Sequence, residues 1–140
     1  MATVQADFRD REHILFSARG RTFANSRETI GNELIGYSSM ELLLIALGNC
    51  TLGVLGNHEL LKNVDLSKFR ATLESQGAQN PARMSSIKVV VEIDSDDPSV
   101  KAHQTTLERA ASSCPVGNTL KFSPEIEVEL RLSPVATNRT

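Results

Sequence analysis

Hydrophobic positions in the first part of the chain fall in short alternating runs, and these predict strands. Thr3–Phe8, His13–Ala18 and Arg21–Ser26 are β-prone, with Arg9-Asp10-Arg11 and Arg19-Gly20 at the turns between them. A polar stretch follows through Gly31-Asn32 and Gly36. The pattern then changes. Leu42-Leu43-Leu44-Ile45-Ala46-Leu47 is continuously apolar, and Ser38-x-x-Glu41 ahead of it is a capping box, in which each side chain satisfies a backbone donor of the first turn. Together they predict a long helix from about Ser39 to Leu61. Its early part is apolar on nearly every side, as in a helix that protein covers all round. Gly48, Gly53 and Gly56 each cost about 1 kcal/mol relative to alanine, so something must approach this backbone closely.

Lys68–Leu73 alternates through Phe69, Ala71 and Leu73, and Ile87–Ile93 is a β-branched run; both read as strands. Pro98 and Ser99 open a second helix, Val100 to Ser113, whose inner face is Val100, His103, Leu107, Ala110, Ala111 and Cys114. Pro115 ends it, because proline cannot continue the hydrogen-bond ladder. A last strand, Ile126–Leu132, alternates apolar and charged residues. The order β-β-β-α-β-β-α-β, with hairpins in place of regular βαβ units, predicts an α+β fold.

The 140 residues predict one domain over 1–140, long enough to fold without a staple. Hydrophobic content of 40% and charged content of 23% exclude a disordered chain, and a net charge of -2 gives no reason to expect nucleic acid or an anionic membrane as partner. Charges appear early between Met1 and Arg11, so no secretory signal is expected there, and Leu42–Leu47 is far short of the roughly 20 residues a membrane span needs. A cytoplasmic location is the expectation. In that compartment structural disulfides are rare, so the two cysteines are either inert core residues or reactive thiols.

Cys50 lies mid-helix and Cys114 at the end of the second helix, where unpaired carbonyls offer no dipole to favour a thiolate. Cys50 is therefore the better nucleophile candidate and Cys114 the better resolving partner. Other chemistries have little to stand on. His13, His58 and His103 are scattered, and no zinc-ligand spacing or phosphate-binding glycine loop is present, so no metal or cofactor is expected. His58 stands about 80° around the helix from Cys50, which makes a Cys–His pair awkward.

Two segments then carry a resemblance. Glu41-Leu42-Leu43-Leu44-Ile45-Ala46-Leu47-Gly48-Asn49-Cys50 resembles the central-helix motif of the OsmC-like and organic hydroperoxide resistance proteins. Cys114-Pro115-Val116-Gly117-Asn118-Thr119-Leu120 resembles the second motif of that family, a turn after its last helix. The resemblance implies antiparallel sheets around a long central helix in an intertwined homodimer, with active sites at the subunit interface. It implies reduction of organic hydroperoxides by Cys50, resolution of the sulfenic acid by Cys114 as an intrachain disulfide, and a lipoyl-type or other dithiol reductant. It also implies an arginine from the first hairpin, held by a helix-start glutamate. Glu41 matches the glutamate; Arg9 and Arg11 both lie in the matching turn. Glu41 and Cys50 point to opposite sides of a straight helix at about 100° per residue, so a shared site needs a second subunit or a broken helix. Ser39 stands where many relatives have proline, and the glutamate is one place closer to the cysteine than in some hydroperoxide reductases. Those departures resemble the branch of the family in which some members lack the arginine. Two other activities fit the same residues: a non-catalytic stress protein holding an apolar ligand, and thiol-dependent acyl transfer, for which no His–acid pair is visible.

Overall fold

In the computed structural model, which describes residues 2–132, the N-terminal alternation forms the sheet it predicts. Strands β1 (Gln5–Phe8), β2 (His13–Ala18) and β3 (Arg21–Ser26) pair antiparallel in the order β1-β2-β3. Phe16 and Phe23 lie opposite one another and stack, with ring centroids 5.1 Å apart. The polar stretch beyond them holds a small hairpin the alternation does not reveal, β4 (Thr29–Ile30) and β5 (Glu33–Leu34). Its strands are too short for a period of two to register. Gly31 turns the hairpin at φ 62°, where an L side chain would be strained.

Helix α1 (Ser39–Gly56) starts where the capping box places it. The Ser38 hydroxyl accepts from the Glu41 N–H at 3.1 Å, and the Glu41 carboxylate accepts from the Ser38 N–H at 2.8 Å. Just upstream, the Asn25 side chain both donates to the Tyr37 carbonyl (2.9 Å) and accepts from its N–H (2.8 Å), tying β3 to the start of the helix. Gly36 lies so close to this junction that a Cβ would collide with the Ser26 carbonyl. The helix stops at Gly56, short of the expected Leu61. There His58 caps a 3-10 turn (Glu59–Leu61), its Nδ1 taking the Leu60 N–H at 3.2 Å that a continuing helix would have used.

Strands β6 (Phe69–Ala78) and β7 (Arg83–Ile93) form a hairpin longer than the apolar runs that announce it. Glu74 pairs with Lys88 and Gln76 with Ser86, because a backbone ladder extends through polar residues as readily as through apolar ones. Helix α1 packs on β6, and a Cβ at Gly48 would stand 3.0 Å from Leu73 Cδ1. Close approach explains that glycine, and Gly56 similarly faces Leu66; Gly53 has open space beside it.

The second predicted helix is two: α2 (Pro98–Ala102) and α3 (Gln104–Ser112). The break falls at His103, whose Nδ1 meets the Ser99 carbonyl at 2.7 Å. His103 is exposed, so it leaves the predicted inner face, while Val100, Leu107, Ala110, Ala111 and Cys114 keep their place there. Leu55, Leu61, Val100 and Leu107 form the buried core, each contributing about 1.5–3 kcal/mol through burial.

Two expectations near the C-terminus are corrected. Pro115 does not merely stop a helix; it is the first residue of another, α4 (Pro115–Lys121). The predicted strand Ile126–Leu132 carries no regular structure, because among the described residues no strand completes a ladder with it. Its apolar residues are left bare: Ile126 is 81% exposed and Leu130 83%. The α+β class with antiparallel sheets stands.

Two substitutions test the start of α1. Ser38→Ala should lower stability in urea by about 1 kcal/mol through loss of the cap. Gly36→Ala should cost about 1–3 kcal/mol because backbone must move to admit a methyl group. Equal stability of Gly36→Ala and the parent chain would contradict the close approach.

Candidate functional site

Helices α1 and α4 bring the two cysteines together from opposite halves of the sequence. Cys114 has an extended backbone (φ -67°, ψ 148°) and is the N-cap of α4, with Pro115 at the first helical position. Its Sγ accepts the Gly117 N–H at 3.3 Å. The neighbouring amide, of Val116, donates to Cys50 Sγ at 3.4 Å. One turn of helix thus holds both sulfurs on consecutive N–H groups. Gly117 makes room for this: a Cβ there would stand 3.2 Å from Cys114 Sγ.

The sequence reading put Cys114 at a helix C-terminus among unpaired carbonyls. The structure puts it one residue past that end, at the start of the next helix, where unpaired N–H groups favour a negative sulfur. A signal for this was present, since proline is as well suited to the first position of a helix as it is to stopping one.

The sulfurs sit in different surroundings. Cys114 is 1% exposed, whereas Cys50 is half-buried. Burial by itself would push the Cys114 thiol up, but the Gly117 amide, the Cys50 side chain, the Thr51 hydroxyl and the Val116 amide outweigh it and bring the thiol below its ordinary value. Cys50 goes the other way. Burial raises it, the Val116 amide opposes the rise, and the hydrogen bond and charge of neighbouring Cys114 add to it. These opposed shifts describe one interacting pair, whose titration belongs to both sulfurs together.

A cavity of about 1320 Å³ opens beside Cys114 and Thr51, walled by apolar side chains that include Leu43, Leu47, Leu55, Val89 and Leu107. Arg83, Lys101, Glu108 and Lys121 also line it. Lys121 is engaged at the end of α3, its Nζ donating to the Ser112 carbonyl at 2.6 Å and hydroxyl at 2.8 Å.

The remaining candidates make other contacts. Glu41 is taken up in its capping box, where the Ser38 backbone N–H first, and the Ser38 side chain second, hold its carboxyl below the usual range. Arg9 and Arg11 are exposed at the β1–β2 turn. Among the described residues no hydrogen bond or ion pair joins Glu41, Arg9 or Arg11 to either cysteine. His13, in the same hairpin, lies 2.9 Å from Asp10 and 3.5 Å from Glu28. Among the described residues no cluster of three His, Cys, Asp or Glu side chains is arranged to hold a metal. Sequence reasoning missed Thr51, the one buried polar side chain among the described residues, whose hydroxyl lies 3.8 Å from Cys114 Sγ. Its place next to Cys50 in a helix is the only clue the sequence gives.

Comparison with known proteins agrees with this arrangement of elements. The sequence model for OsmC-like protein matches residues 31–129. No curated protein matches the chain. Among solved structures, an OsmC like protein from Mycoplasma pneumoniae superposes with a TM-score of 0.68 at 16% identity, over 88% of this chain and 89% of that one. A putative osmotic stress induced and detoxification response protein from Psychrobacter arcticus 273-4 gives 0.65 at 18% identity, over 85% and 88%. A hypothetical protein from Aquifex aeolicus VF5 gives 0.62 at 16%, over 88% and 89%. At such identities the likeness is one of fold.

The opposed thiol shifts give a direct test. In Cys50→Ser, the thiolate absorbance of Cys114 should rise at lower pH than that of Cys50 in Cys114→Ser. The reverse order would contradict the placement of Cys114 at the start of α4.

Proposed function

We propose that this chain, which belongs to the OsmC-like family, is a thiol-dependent peroxidase that reduces organic hydroperoxides as a homodimer. The observation that carries the reading is the pair of sulfurs held on the consecutive amides of Val116 and Gly117. Cys50, the more accessible of the two, attacks the terminal peroxide oxygen as a thiolate. The O–O bond breaks, the alkoxide takes a proton and leaves as an alcohol, and Cys50 becomes a sulfenic acid. Cys114 then attacks the Cys50 sulfur. The S–O bond breaks, hydroxide takes a proton and leaves as water, and an intrachain disulfide remains. A dithiol, lipoyl-type or other, returns two electrons and two protons to reopen it. A cytoplasmic setting suits such a cycle, because dithiol reductants are maintained there.

Cys50 needs a nearby cation to populate its thiolate at neutral pH. Among the described residues Arg9, Arg11 and Glu41 make no hydrogen bond or ion pair with it, and in this reading a second subunit brings Arg9 or Arg11, with Glu41, to the site. Two features favour such a partner. Met40 and Ile45 on the apolar helix α1 are each about half exposed, at 48% and 49%. Among the described residues the alternating segment Ile126–Leu132 also has no strand paired with it.

A second reading has its own support: the apolar cavity beside Cys114 and the raised Cys50 thiol suit a protein that holds an apolar ligand without turning it over. Variants separate the two. Cys50→Ser should abolish cumene hydroperoxide consumption. Cys114→Ser should allow one reduction event per chain and then over-oxidise. Full consumption by Cys50→Ser would overturn the assignment. Light scattering should give the mass of two chains, and a monomer at micromolar concentration would remove the interface on which the site depends.

A further inference from the structure

Thr51 follows Cys50 on α1 and is 3% exposed. A threonine buried in a helix ordinarily turns its hydroxyl to the carbonyl of the preceding turn. Among the described residues the Thr51 hydroxyl instead has Cys114 Sγ as its side-chain partner, at 3.8 Å. Against a protonated thiol either atom could donate, but against a thiolate only the hydroxyl can. The contact therefore strengthens when Cys114 loses its proton.

We infer that Thr51 is a positioning residue for the resolving cysteine: its hydroxyl donates to the Cys114 sulfur and sets how readily that sulfur acts as a nucleophile. The inference rests on the peroxidase reading for its kinetic consequence, though not for the contact itself. Facing Cys114 are the Cys50 thiol and Thr51 hydroxyl from α1 and the amides of Val116 and Gly117 from α4. The charged groups lining the adjoining cavity are Arg83 from β7, Lys101 from α2, Glu108 from α3 and Lys121 from α4. Among the described residues no hydrogen bond joins any of these four to the Cys114 sulfur, whereas the Thr51 hydroxyl is in contact with it.

In the resolving step the Cys114 thiolate gives its electron pair to the Cys50 sulfur of the sulfenic acid. The S–O bond breaks, and the departing hydroxide takes a proton to leave as water. The oxidant is the organic hydroperoxide consumed in the preceding step. A hydrogen bond to the thiolate raises its population at neutral pH while lowering its intrinsic reactivity by less than half as much on a logarithmic scale, so the net effect there is faster resolution. Above the thiol's titration range only the loss of reactivity remains.

Two measurements test this. The first needs no peroxide: ultraviolet titration of Cys114 in the Cys50→Ser background, alone and combined with Thr51→Val or Thr51→Ser. The midpoint should move up with valine and return with serine. Coincident curves for all three, or an equal shift with valine and serine, would overturn the inference. Should the valine variant fail to fold, as judged by circular dichroism, Thr51→Ala carries the same prediction. The second follows disulfide formation by stopped flow after one equivalent of cumene hydroperoxide, with both cysteines present. Thr51→Val should be roughly threefold slower than the parent chain at neutral pH and no slower in strong alkali. A pH profile unchanged by valine would overturn the kinetic role. Failure of the parent chain to consume peroxide while the titration shift is present would refute the peroxidase reading and leave the contact standing.

Discussion

Two sulfurs share the first turn of one short helix, and most of the site's geometry follows from that. The Val116 and Gly117 amides are among the donors that a helix start leaves unpaired. Here they are satisfied by Cys50 and Cys114 in place of an oxygen side chain. Pro115 fixes the backbone at the turn, and Gly117 leaves out the Cβ that would press on the sulfur. The other half of the arrangement is α1, which must lie close enough to deliver Cys50 and Thr51. Gly48 lets α1 settle against Leu73 of β6, and Leu47 reaches the Gly117 position from the same helix.

Apolar surface sets the second constraint. Helix α1 is apolar on almost every side, and one chain covers only part of it. It packs on β6, α3 and α4 through the side that carries Leu47, Gly48, Thr51 and Leu55, although length and composition alone would let it cross a bilayer. Residues of the 126–132 segment, with Met40 and Ile45, leave apolar surface that the described residues do not cover. The proposed homodimer would cover that surface. It would also answer an electrostatic demand, since a nearby cation favours the thiolate of a Cys50 thiol that burial raises.

Much of this was legible in the sequence. Alternation gave β1, β2 and β3 at nearly their observed bounds, and the Ser38–Glu41 capping box placed the start of α1. These signals are local, and so they survive folding unchanged. Misses came where a tertiary or chemical choice overrode a local pattern. Periodicity carried the second helix through His103, but the chain breaks there and leaves its side chain exposed. Proline read as a terminator turned out to begin a helix, which reversed the electrostatic setting of Cys114. The final strand was read from an alternation that is real, yet a strand needs a partner that these described residues do not include. Thr51 was invisible because its significance lies in a contact 63 positions away along the chain.

The central claim is that Cys50 and Cys114 form one redox unit driven by hydroperoxide. It is tested most directly by mixing fully reduced protein with one equivalent of cumene hydroperoxide and following thiol loss by stopped flow, with mass analysis of the quenched product. The account predicts rapid loss of both thiols and a peptide map showing Cys50 joined to Cys114 within one chain. Thiols that stay reduced, or a disulfide that links two chains instead, would contradict it.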